Sequence, residues 1–62
     1  MKVKFLREIE LDNTENDTKR FHRNSVMDVC YVESISTNFS NICTPNEILL
    51  DVPNSAFQII NE

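Results

Sequence analysis

A 62-residue chain without one glycine must turn on other residues, and that limits what it can fold into. Tight turns need residues that tolerate positive φ, and after glycine asparagine tolerates it best. The chain has eight: Asn13, Asn16, Asn24, Asn38, Asn41, Asn46, Asn54 and Asn61. Their spacing cuts it into several short segments rather than two or three long helices. These asparagines are therefore read as turn residues standing in for glycine, not as ligand-binding groups.

Short segments have to share one core. A chain of this length buries only about 60% of the surface its unfolded form exposes, so residues 1–62 are read as one small domain. Apolar residues are 40% of it, and four Phe with one Tyr supply most of the bulk. That leaves no room for a deep cleft between lobes. No apolar run reaches the ~18 residues that a membrane-spanning helix needs. MKVKFLREIELD lacks the continuous apolar stretch of a secretory signal, so the expected location is the cytoplasm.

Along the chain the signal is β. Val3, Phe5, Ile9 and Leu11 sit on odd positions and Lys2, Lys4, Glu8, Glu10 and Asp12 on even ones. That period of two predicts a half-buried strand over 2–11, with Leu6 and Arg7 out of step. DNTENDT (12–18) has no apolar residue and reads as a solvated loop. KRFHRN (19–24) reads as a short edge strand. VMDVCYVESI (26–35) is rich in β-formers on both parities, which predicts a strand that is central or strongly bent, placed at the middle of the sheet. Residues 36–41 turn the chain and 41–44 return as a short strand. Thr44-Pro45-Asn46 makes a tight turn, 48–52 a strand, Pro53-Asn54-Ser55 a turn or a single 3₁₀ turn, and 56–60 a last strand. Five or six short antiparallel strands predict an all-β fold closed as a small barrel, which hides its edges. The predicted core is Phe5, Val29, Tyr31, Leu50, Val52 and Phe57.

LLDVPNSAFQII (49–60) resembles the ending of small SH3-like barrels: a strand, a 3₁₀ turn opened by Pro, and a last strand bearing an aromatic. FHRNSVMDVCYVES (21–34) is similar to the aromatic, turn and Val-rich strand that precede that ending, and KVKFLREIEL (2–11) to the opening strand. Where the family's turn carries Gly, this chain carries Asn24-Ser25. Together these segments resemble short phage-encoded proteins of SH3-like fold, some of them accessory proteins. The resemblance implies a viral accessory protein, and settles fold before function.

Chemistry is absent from the pattern. His22 has no nucleophile or carboxylate constellation around it, and no serine sits in a G-x-S-x-G elbow. Zinc needs four ligands, and His22 has no partner at metal spacing. Cys30 and Cys43 sit in apolar stretches and read as free, buried thiols. No enzyme, cofactor or metal is expected.

Charge is the remaining signal. Of a net −4, residues 1–23 hold all six bases against five acids, and residues 24–62 hold five acids and no base. Glu33, Glu47 and Asp51 follow or interrupt apolar strands and are predicted to point outward as an acidic patch. The first reading is therefore a small acidic protein-binding module that binds and inhibits a host protein at a basic site, the patch imitating nucleic acid. The second is a nucleic-acid-binding barrel: Lys19, Arg20 and Arg23 on phosphates, with Phe21 stacking on a base. A net-acidic chain argues against it. The third is a structural or oligomeric subunit in which exposed Leu6 or Leu49 pairs two chains.

Overall fold

The N-terminal alternation does make a strand, but the strand stops at Phe5. In the computed structural model, which describes residues 1–60, the elements are β1 (Lys2–Phe5), β2 (Ile9–Asp12), β3 (Thr18–Phe21), β4 (Val26–Asp28), β5 (Tyr31–Ser34), β6 (Phe39–Cys43), β7 (Ile48–Pro53), a 3₁₀ turn (Asn54–Ala56) and β8 (Phe57–Ile60). The fold is all-β, as the pattern predicted. It has eight short strands instead of five or six, arranged in three antiparallel sheets and not in one closed barrel: β4-β1-β8, β2-β3 and β5-β6-β7.

Two predicted long strands are each broken in two. Residues 2–11 divide at Leu6–Glu8, where Leu6 and Arg7 depart from the alternation. Phe5 stays with β8 opposite Phe57, whereas Ile9 opens a separate hairpin opposite Phe21. The Leu6 N–H still donates to the Ala56 carbonyl at 2.8 Å, which holds the departing chain to the 3₁₀ turn. Residues 26–35 divide at Val29–Cys30. Their apolar content on both faces comes from a bend, not from a central position: β4 and β5 are outer strands of two different sheets. The β6 strand begins at Phe39, inside the predicted turn.

The turns show how a chain without glycine manages. Asn16 and Asn24 adopt left-handed φ of 64° and 70°, as does Asp51 at 50°. Other asparagines act through their side chains. Asn13 Oδ1 accepts the Glu15 and Asp17 N–H groups across the β2–β3 turn. Asn54 accepts from Ser40 Oγ at 2.6 Å and donates to the Thr37 carbonyl. Thr44 Oγ1 donates to the Glu47 carbonyl and accepts the Asn46 and Glu47 N–H groups, closing the turn that Pro45 opens. Asn61 lies outside the described residues.

The sheets enclose one core of Val3, Phe5, Leu11, Val29, Ile42, Leu49, Val52 and Phe57, with Ile9, Phe21, Met27 and Val32 packed against it. Phe5 is fully buried and stacks on Phe21, ring centroids 4.7 Å apart. Four predicted core residues are there: Phe5, Val29, Val52 and Phe57. Tyr31 is not, being 49% exposed, and Leu50 is only half-buried. The departure at Leu50 has a local cause. Between β6 and β7 the register runs Ile42↔Leu49 and then Ser40↔Val52, so Leu50 and Asp51 together oppose Asn41. This β-bulge inserts one residue and moves the inward face from Leu50 to Leu49. At the start of β5, Tyr31 is the register partner of Cys43 on the outer face, and the bend before it is held by the Cys30 N–H donating to the Cys43 carbonyl.

Candidate functional site

Alternation along β5 and β6 places Val32, Ser40 and Ile42 inward and Tyr31, Glu33, Asn41 and Cys43 outward. Sheet β5-β6-β7 thus presents an outer face on which Tyr31 stands opposite Cys43, Glu33 opposite Asn41, and Phe39 opposite Pro53. Ile35, just past β5, adds to it. Tyr31, Ile35 and Phe39 are each more than 40% exposed, a concentration of large apolar side chains on one three-stranded sheet. Half-buried Ile48 and Leu50 continue the surface on β7. The adjacent Cys43 side chain, with Glu33 adding to the effect, raises the Tyr31 phenol above its ordinary pKa.

The three predicted acids do not form one patch. Glu33 and Asp51 are exposed on either side of Asn41, whose Oδ1 accepts the Asp51 N–H at 3.1 Å. That bond steadies Asp51 in its left-handed conformation. Glu47 lies at the other end of β7 and faces the β2–β3 hairpin. One carboxylate oxygen accepts from Asn13 Nδ2 at 2.7 Å and the other from Lys19 Nζ at 2.8 Å, with the side chain only 11% exposed. The sequence spaced it like an outward residue; the tertiary structure uses it to fasten β7 to β2 and β3, next to the Asn13↔Leu49 bridge.

These hydrogen bonds, Asn13 first and Lys19 second, hold the Glu47 carboxyl below its ordinary pKa despite burial acting the other way. A carboxyl with a lowered native pKa stabilises the fold fully above its unfolded value of ~4.3, and that contribution is lost as pH falls through the native value. Urea unfolding at stepped pH is expected to show a loss on the acid side that is smaller in Glu47→Gln. Parallel losses in the two proteins would assign the acid sensitivity to other carboxylates.

The basic cluster is dispersed as well. Lys19 is committed to Glu47, and its pKa is raised by that bond. Arg20 meets Glu10 at 2.8 Å, with both groups more than half exposed, an arrangement worth little to stability. Phe21 is half-buried against the core, with one ring face taken up by Phe5. Arg23 sits on the exposed turn between β3 and β4, and His22 Nδ1 lies 3.1 Å from Glu8 Oε1. Leu49, one of the two leucines considered for pairing chains, is fully buried, whereas Leu6 is exposed.

Between the free edges of β5 and β8 a groove of about 440 Å³ opens, lined by Val32, Ser34, Ser40, Asn54, Phe57 and Ile59. No titratable side chain lines it. Among the described residues no group of three or more His, Cys, Asp or Glu is placed to hold a metal ion, and no helix is long and apolar enough to cross a membrane. The outer apolar face was legible only in part: the sequence marked Glu33 and Asp51, but it assigned Tyr31 to the core and passed over Phe39 and Ile35. Comparison with protein-family models, curated proteins and solved structures finds no match.

Proposed function

We propose that this protein is a small binding module for another protein, of the kind that phage-encoded accessory proteins supply to modulate a host protein in the host cytoplasm. The fold reading behind it is an SH3-like arrangement. It is supported by the Pro53-opened 3₁₀ turn leading into Phe57 on β8, and by the antiparallel pairing of β8 with the opening strand.

The observation that carries the proposal is the outer face of sheet β5-β6-β7. Tyr31, Ile35 and Phe39 are exposed together there, beside Glu33 and Asp51. Exposed apolar side chains grouped on one face mark interaction sites rather than solvated surface. The chain after Arg23 has no Lys or Arg, so the charge on this face is acidic. With dimensions of 30 × 23 × 22 Å and Debye screening over ~8 Å at physiological salt, the bases on the β2–β3 side do little to cancel it. The partner is a protein surface with apolar residues flanked by Lys or Arg. Apolar contact supplies affinity, and the two carboxylates supply orientation and encounter rate.

Two acids among aromatic and aliphatic residues do not make a phosphate array, so this reading gives up the imitation of nucleic acid and keeps the basic site on the partner. Direct nucleic-acid binding through Lys19, Arg20, Phe21 and Arg23 is disfavoured by the ion pairs of the first two and the stacking of the third.

The test compares three proteins in capture from bacterial lysate and then in binding kinetics with the captured partner. They are the wild type, a Tyr31→Ser/Phe39→Ser variant, and a Glu33→Lys/Asp51→Lys variant. The apolar variant is expected to lose the partner. The charge variant is expected to associate about tenfold more slowly at low salt, with a flatter salt dependence. A partner held equally by all three would move the binding surface elsewhere. Salt-dependent binding to duplex DNA without any protein partner would favour the nucleic-acid reading.

A further inference from the structure

The only two cysteines of the chain, thirteen positions apart, meet at one point of the fold. The Cys30 N–H, in the bend just before β5, donates to the Cys43 carbonyl at 2.7 Å, beside the Tyr31↔Cys43 register pair. The atoms linking the two Cα positions are one N–Cα bond, this hydrogen bond, one C=O bond and one C–Cα bond. The Cα atoms are therefore at most about 7 Å apart, and closer once those links bend, which brings them into the ~4.4–6.8 Å window of disulfides.

Direction matters as much as distance. Val29 is buried and Val32 half-buried, while Cys30 and Tyr31 between them are both exposed, Cys30 in the bend that leads into β5. Cys43 stands on that same outer face opposite Tyr31. The apolar sequence context of both cysteines predicts buried thiols; in the fold Cys30 is exposed and Cys43 half-buried, and both are free.

We propose that Cys30 and Cys43 form a reversible intramolecular disulfide, a redox-sensitive staple at the bend where the chain passes from sheet β4-β1-β8 to sheet β5-β6-β7. The oxidant is a low-molecular-weight disulfide. The exposed Cys30 thiolate attacks one of its sulfurs, forming a mixed disulfide and releasing one small thiol, which takes the proton that Cys30 gave up. The Cys43 thiolate then attacks the Cys30 sulfur, forming the Cys30–Cys43 bond and releasing the second small thiol with the proton from Cys43. Two protein thiols are oxidised and one small disulfide is reduced. Dithiothreitol attacks the Cys30–Cys43 bond and closes to its own cyclic disulfide, which returns both protein thiols.

The staple closes a loop of 14 residues, counting both cysteines, and ties β5 to the far end of β6, next to Tyr31. A loop of this size, closed without strain, is expected to raise the Tm by about 12–24 °C. The experiment treats the full chain with oxidised glutathione and follows intact mass, alkylatable thiols and thermal unfolding, with Cys43→Ser and Cys30→Ser alongside. The expected product is a monomer two hydrogens lighter, with neither thiol alkylated and a raised Tm, all reversed by dithiothreitol. Cys43→Ser is expected to stop at a glutathione adduct on Cys30, and circular dichroism checks that both variants stay folded. Wild type that accumulates glutathione adducts on both cysteines, or a disulfide-linked dimer, would overturn the proposal. So would an intramolecular bond that lowers the Tm, because the geometry would then not be preformed.

Discussion

Replacing Phe5 by alanine is expected to remove most of the fold's stability and leave up to about half of the chain unfolded at 25 °C. Phe5 is fully buried, stacks on Phe21 and pairs in register with Phe57, so it joins the β2–β3 hairpin to sheet β4-β1-β8. Deleting a buried phenylalanine costs about 3–5 kcal/mol in transfer and cavity terms. A domain of this size has about 5 kcal/mol to lose. Far-UV circular dichroism with urea titration reads the result. A cooperative transition near the wild-type midpoint would show that the three sheets do not depend on this ring. Phe57→Ala tests the same junction from β8 and is expected to fall in the same range.

The second large effect is expected at a polar residue. Asn13 is 4% exposed and makes three side-chain hydrogen bonds, accepting from the Glu15 and Asp17 N–H groups and donating to Glu47. Asn13→Ala leaves two turn amides without this acceptor and a nearly covered carboxylate with one partner fewer. At ~1 kcal/mol for each hydrogen bond, and more where the remaining partner is charged, the loss is about 2–4 kcal/mol. The pairing with Glu47 makes a sharper prediction. In a cycle with Glu47→Gln the two losses are expected to fall short of additive, because both changes weaken the same contact. Strict additivity would mean that Asn13 acts through the turn alone, with β7 indifferent to it.

That contact also separates the local from the non-local in this sequence. DNTENDT was legible as a polar turn, and Asn16 in the left-handed region is the glycine substitute the composition called for. Nothing in the segment shows that Asn13 becomes buried, since its partners Glu47 and Leu49 come from more than thirty residues away. Glu33 and Asp51 were legible as outward residues because their neighbours alternate. Glu47 has the same local pattern, and only the packing of β7 against the β2–β3 hairpin turns it from a surface charge into a clamp.

The all-β class and the β character of most segments follow from the sequence alone, but not the breaks at Leu6–Glu8 and Val29–Cys30. Alternation, β-branched content and the Asn and Pro turn positions are local properties, and a segment of four to six residues is enough to express them. Which side of each strand faces the core is a different kind of fact. Runs such as Cys30-Tyr31-Val32 and Leu49-Leu50 are apolar on both parities, so either parity would satisfy the local pattern. The bulge of Leu50-Asp51 against Asn41 settles it on β7 by inserting one residue, and the bend at Val29–Cys30 settles it on β5 by starting that strand with Tyr31 opposite Cys43. A bulge is defined by the partner strand, because only the count of residues opposite reveals the extra one. The tertiary structure therefore decided that Leu49 and Val52 fill the core while Tyr31 is exposed, and it gave the outer face its aromatic character and brought the two thiols together.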